Sequence, residues 1–253
     1  MRTLLRRFIP VIALLALGSL VAAPAARAQA PQASFQLGPG QVATITFEAF
    51  CVEFGKFFPE TIVEPKGVAP EPIRAALAYV QQKGLAADPA TAFEANLAIW
   101  KLAGASRAPA GGAVAQDVLQ NGTTPPADPQ GTSIVDAAAA GDVRLTLVGW
   151  QASGDKVQIL SASDHFYGRG TLTVENISQQ TLTLYMPIGT LFPGNEARFQ
   201  TVGGYAVDVQ TPRLPQTGGE VEPPLGALLL LSLALLAAGR LMAPRGVARL
   251  RSV

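Results

Sequence analysis

Few residues in this chain could carry out covalent chemistry. There is one cysteine, Cys51, and one histidine, His165. One of each cannot assemble a zinc site or a thiol–imidazole dyad with spare ligands, so no metal and no cofactor is expected. A lone cysteine has three possible roles: a buried inert thiol, an intermolecular link, or a reactive group. Glu48 and Glu53 flank Cys51, and carboxylates beside a thiol raise its pKa rather than activate it. His165 follows Asp164 in a turn and reads as surface. The remaining candidate is Asn96. It falls on the apolar stripe of a predicted helix, three residues after Phe93 and four before Trp100. A buried amide must find hydrogen bonds or cost a few kcal/mol, so a polar partner is expected across the core.

The elements that hold these two residues can be read from pattern. Val42 to Phe54 is a predicted strand in which Ile45 and Phe47 alternate with Thr44, Thr46 and Glu48. The alternation slips at Ala49-Phe50, which predicts a bulge or bend just before Cys51. A proline-broken loop spans 57–70. A helix follows from Pro72 to Lys83, with Gly84 beyond its end. Asp88 is the expected N-cap of a second helix from Pro89 to about Ala103. A short helix is expected over 111–120, and another over 133–140 with Ser133 as its N-cap. From Val143 onward the pattern is strand: Leu145 and Leu147, Val157 and Ile159, Leu172 and Val174, Leu182 and Leu184, Val207 and Val209.

Both ends read as address labels. Arg2, Arg6 and Arg7 precede an apolar run from Val11 to Ala22 and a small-residue site, Ala26-Arg27-Ala28. This predicts a signal peptide over 1–28, cut after Ala28. Near the other end stand Leu214, Pro215, Gln216, Thr217 and Gly218. Leu225 to Gly239 follows with only Ser232 polar, and Arg240, Arg245, Arg249 and Arg251 close the chain. The apolar run is short for about 30 Å of hydrocarbon, and it reaches further if Arg240 snorkels. The expectation is a spacer over 212–224, a transmembrane helix over 225–243 and a basic cytoplasmic tail over 244–253. Eight of the nineteen Lys and Arg lie in these two ends, against two of the eighteen acids. The body between is therefore mildly acidic, which argues against a nucleic-acid partner.

Two resemblances follow from these residues. Leu214-Pro215-Gln216-Thr217-Gly218, the span and the cations resemble the LPxTG cell-wall sorting signal of Gram-positive surface proteins. That resemblance implies cleavage by a sortase between Thr217 and Gly218, and transfer of the threonine carboxyl to a cell-wall peptide amine. The second covers roughly Val42 to Gly104. A strand with Phe50-Cys51-Val52, a proline loop, a helix, and then Ala95-Asn96-Leu97-Ala98-Ile99-Trp100 on a second helix resemble the thioester domains of Gram-positive surface adhesins. There a cysteine is joined to a glutamine in a T-Q-x-A motif. Cys51 matches the cysteine, whereas Asn96 stands where the glutamine belongs and Ala95 where the threonine belongs. Asparagine is one methylene shorter, so its carbonyl falls about 1.5 Å short.

The expected fold is an α+β outer domain followed by an all-β sandwich, between a signal peptide and a transmembrane sorting helix. The domains would be a loose lead-in over 29–41, a thioester-domain-like unit over 42–122, a linker over 123–132, and a short helix plus sandwich over 133–211. The expected function is non-enzymatic: a protein anchored to wall or membrane, acting in adhesion or envelope structure. Its partners would be a sortase, a cell-wall amine, the membrane through the C-terminal helix, and a surface protein or glycan. Two readings of Cys51 and Asn96 stay open. Either they form an internal thioester that captures an amine, or they are relics packed in a protein with a non-covalent role.

Overall fold

The computed structural model describes residues 33–159 and 162–212. The expected signal peptide with Ala28, the motif Leu214 to Gly218, the apolar span and the basic tail lie outside the described residues. Among the described residues no helix is long and apolar enough to cross a membrane.

The elements in chain order are β1 (Phe35–Leu37), β2 (Val42–Cys51), β3 (Gly67–Val68), α1 (Glu71–Lys83), α2 (Pro89–Leu102) and α3 (Ala113–Asn121). They continue with β4 (Thr132–Ser133), α4 (Ile134–Ala140), β5 (Val143–Ala152), β6 (Val157–Ile159), β7 (Ala162–Asp164) and β8 (Tyr167–Asn176). The last are β9 (Leu182–Tyr185), β10 (Thr190–Phe192) and β11 (Val202–Gln210). The protein is mostly β-sheet with some helix. Its main sheet has six strands in the order β3-β10-β11-β2-β8-β5, and every pairing in it is antiparallel. A smaller sheet runs β1-β9-β4, and β6 and β7 form a separate pair.

This topology corrects the expected two-domain division. β2 comes from the first half of the chain, and it lies between β8 and β11 from the second half. The described residues form one compact unit that runs through the expected linker without a break. The 123–132 segment, despite its three prolines, is tied down at both sides. Asp128 pairs with Arg74 of α1 at 2.6 Å, and Thr132–Ser133 adds a parallel strand to β9. Short alternating strands therefore look the same to sequence reading whether they form a sandwich of their own or complete a sheet begun in the first half of the chain.

The helices are set by their ends, as their sequences suggest. Pro72 occupies the first turn of α1, and Gly84 closes it in the left-handed conformation at φ 64°, which a residue with a Cβ adopts only at a cost. The Asp88 carboxylate accepts the backbone N–H groups of Ala90 and Thr91, both at 3.0 Å. Ser133 caps α4 by accepting from the Asp136 N–H at 3.0 Å.

Along β2, Ala43, Ile45, Phe47 and Ala49 are fully buried on one face. Phe47 stacks on Phe192 with ring centres 4.3 Å apart. Gly170 sits directly across from Phe47 and leaves room for that ring. The expected bulge at Ala49-Phe50 is absent: β2 pairs with β8 in unbroken register from Val42 to Phe50. The apolar pattern slips there because the strand end is covered on both faces. Phe50 is buried against Tyr167 and Tyr205, while its neighbours Ala49 and Cys51 are buried as well.

Candidate functional site

Cys51 is the last residue of β2 and has no accessible surface. Its N–H donates to the Phe166 carbonyl at 2.9 Å, and on its other side it pairs with Val202. Burial pushes the thiol well above its ordinary pKa, and the nearby Asp164 and Glu53 carboxylates push it further. These two acids are fixed by other bonds. Asp164 accepts the Phe58 N–H at 2.8 Å. Glu53 accepts the Thr201 N–H at 2.7 Å and the Lys56 ammonium at 2.8 Å. Burial raises the pKa of Glu53, but these hydrogen bonds outweigh it and the net shift is downward.

Asn96 lies in α2, also with no accessible surface. Neither its amide nitrogen nor its carbonyl oxygen has a hydrogen-bond partner. The expected polar partner across the core is therefore missing, which is unusual because nearly all buried polar side chains are satisfied. Its stripe neighbours pack on aromatic rings. Phe93, one turn earlier, meets Phe166 edge-on at 5.1 Å. Trp100, one turn later, meets Phe54 edge-on at 5.1 Å. Phe166 is the backbone partner of Cys51, and Phe54 follows Cys51 by three residues. The stripe that carries Asn96 is thus packed on the two segments that bracket Cys51, and α2 lies against β2. Cys51 is free, not disulfide-bonded.

Two features near this site were not expected from the sequence. Trp100 donates its indole N–H to Gln200 Oε1 at 3.1 Å, in a fully buried bond. Gln200 in turn donates to the Lys56 carbonyl at 3.0 Å. A hundred residues separate Trp100 from Gln200, and no local pattern links them. His165, read as surface, is only partly exposed. Its Nδ1 is buried without a partner, and its ring stands edge-on to Phe58 at 5.6 Å. Among the described residues no three His, Cys, Asp or Glu side chains converge as a metal site would require.

Chemically, the core thus holds one neutral thiol and one carboxamide whose carbonyl is engaged by nothing else. Comparison with protein-family models, with curated proteins and with solved structures finds no match for this chain.

Proposed function

We propose that this is an exported surface protein, held at the wall or membrane by its C-terminal signal, that captures an amine covalently through Cys51 and Asn96. The observation that carries this reading is the Asn96 carboxamide, fully buried and without a hydrogen bond. A group kept at that cost calls for an explanation beyond packing. In the proposed chemistry Sγ of Cys51 attacks the side-chain carbonyl carbon of Asn96. The S–C bond forms, the C–N bond breaks, and the thiol proton leaves with the amide nitrogen as ammonia. An amine on a surface protein or glycan then attacks the thioester carbonyl. The new amide bond joins the partner to Asn96, and the Cys51 thiol is released with its proton. No cofactor is required.

Two observations favour a second reading, in which the pair is a relic in a non-covalent envelope protein. The Cys51 thiol is held in its neutral form by burial, and asparagine is one methylene shorter than the glutamine of the domains it resembles. The intact mass of the purified exported chain decides between them. A mass short by one ammonia, with Cys51 resisting thiol label until an amine is added, supports the covalent reading. A full mass, with Cys51 labelled freely once the chain is unfolded, overturns it in favour of the second.

A further inference from the structure

The solvent face of the main sheet carries a groove lined by neither Cys51 nor Asn96. It begins with a bulge in β5: Leu147 pairs with Leu172 and Gly149 pairs with Thr171, so Val148 is the extra residue. Bulges are frequent beside binding sites, where they re-aim neighbouring side chains. Gly149 stands in mid-strand, where glycine weakens a strand, and nothing in the fold demands it. Its backbone lies outside the left-handed region, and a Cβ there would meet no atom within 4 Å. Gly168 and Gly170 differ, since a Cβ on them would run into the Trp150 and Phe47 rings respectively. The open space at Gly149 forms part of a groove of about 370 Å³.

Thr46, Thr171, Gln151 and Arg169 line that groove. Thr46 is opposite Thr171 across β2 and β8, and Arg169 is opposite Gln151 across β8 and β5. Arg169 forms none of the salt bridges seen among the described residues, and none of the four side chains makes a hydrogen bond to another described residue. Glu48 is the cross-strand neighbour of Arg169. It accepts instead from the Tyr205 hydroxyl at 3.0 Å, which leaves the guanidinium available. The groove thus offers a positive fork, a carboxamide and two hydroxyls around a bare backbone. Guanidinium pairs with a carboxylate through two parallel hydrogen bonds. Short hydroxyl and amide side chains suit a ring rich in hydroxyls.

We propose that this groove binds a uronic-acid residue of an acidic polysaccharide, with the sugar carboxylate on Arg169 and the ring over Gly149. The site is independent of any reaction between Cys51 and Asn96. The test is calorimetric titration of the full chain in detergent with an oligogalacturonate and with the matching neutral galactose oligomer. The acidic oligomer binds, and the neutral one binds at least about tenfold more weakly, as loss of a charge-assisted pair implies. Arg169→Gln weakens binding by a similar factor. Arg144→Gln, on the same face but paired with Glu175 at 2.8 Å, leaves it unchanged. Gly149→Val fills the floor and abolishes binding, while the melting temperature stays the same or rises. No heat with the acidic oligomer, equal affinity for both oligomers, equal loss in the two arginine variants, or full binding by Gly149→Val would each overturn the proposal.

Discussion

Asn96 concentrates the questions this molecule poses at the scale of single residues. Its position on the α2 stripe is legible from sequence, because residues 93, 96 and 100 share a helix face. That nothing satisfies it is not legible, since the absence of a partner depends on every element packed around it. The orphaned amide makes a direct prediction about stability. In a Cys51→Ala background, where no thioester can form, Asn96→Leu keeps the branched shape and removes the unsatisfied groups. It should stabilise the fold by roughly 1–3 kcal/mol, read as a higher urea midpoint with an unchanged slope. A loss of stability would mean that a partner for the amide exists in solution. The thiol makes a second prediction. Folding raises the pKa of Cys51, so the folded state holds its proton more tightly than the unfolded state. The associated stability is fully present below the unfolded thiol's pKa and is lost as pH rises. Tyr205, buried and beside the Glu48 carboxylate, is shifted in the same direction and acts at higher pH. In an Asn96→Leu background, where Cys51 stays a free thiol, urea melts should therefore show stability falling above about pH 8.5 and more steeply above about pH 10. Cys51→Ala should remove the first part of that decline and leave the second. An unchanged profile in that variant would sink the assignment.

At the scale of elements, the helices were legible and the sheet was only partly so. Asp88, Pro89 and Gly84 act locally, through caps and backbone angles that sequence spells out. The strands were recognisable one by one, but their pairing was not, because register is decided by residues far apart in the chain. The misplaced bulge illustrates the limit. An apolar slip at Ala49-Phe50 looks the same whether a strand bends or is buried on both faces. The real irregularities lie at Val148 in β5 and between Ala206 and Asp208 in β11. The glycines of β8 show what pairing adds. Gly170 lies opposite Phe47, and a methyl group there would meet the edge of that ring. Gly170→Ala should therefore cost about 1–3 kcal/mol by overpacking, although alanine suits an ordinary strand better than glycine does. Gly149→Ala, in the same sheet with open space above it, should cost nothing. Equal effects of the two substitutions in thermal melts would show that the Phe47–Gly170 contact does not decide the matter.

For the whole molecule, the consequence is how the two halves depend on each other. The expectation of an outer α+β unit and an inner sandwich rested on a composition shift and three prolines at 123–132. Composition reports which residues make a loop, not whether strands on either side of it pair. Here β2 has β8 on one edge and β11 on the other, and Phe47 and Phe50 stack on rings from the second half. Cys51 depends on this arrangement too, since both of its strand neighbours, Phe166 and Val202, come from the second half. A fragment of residues 33–122 would expose both edges of β2 and the apolar faces of α1 and α2. A fragment of residues 133–212 would lose the strand between β8 and β11. Neither should fold alone. Each should give the dispersed amide spectrum of a folded domain only when the two are mixed, and thiol label should reach Cys51 in the isolated fragment but not in the complex. A 33–122 fragment that folds by itself and protects Cys51 would restore the two-domain picture, and would place the chemistry of Cys51 and Asn96 in a unit that needs nothing from the rest of the chain.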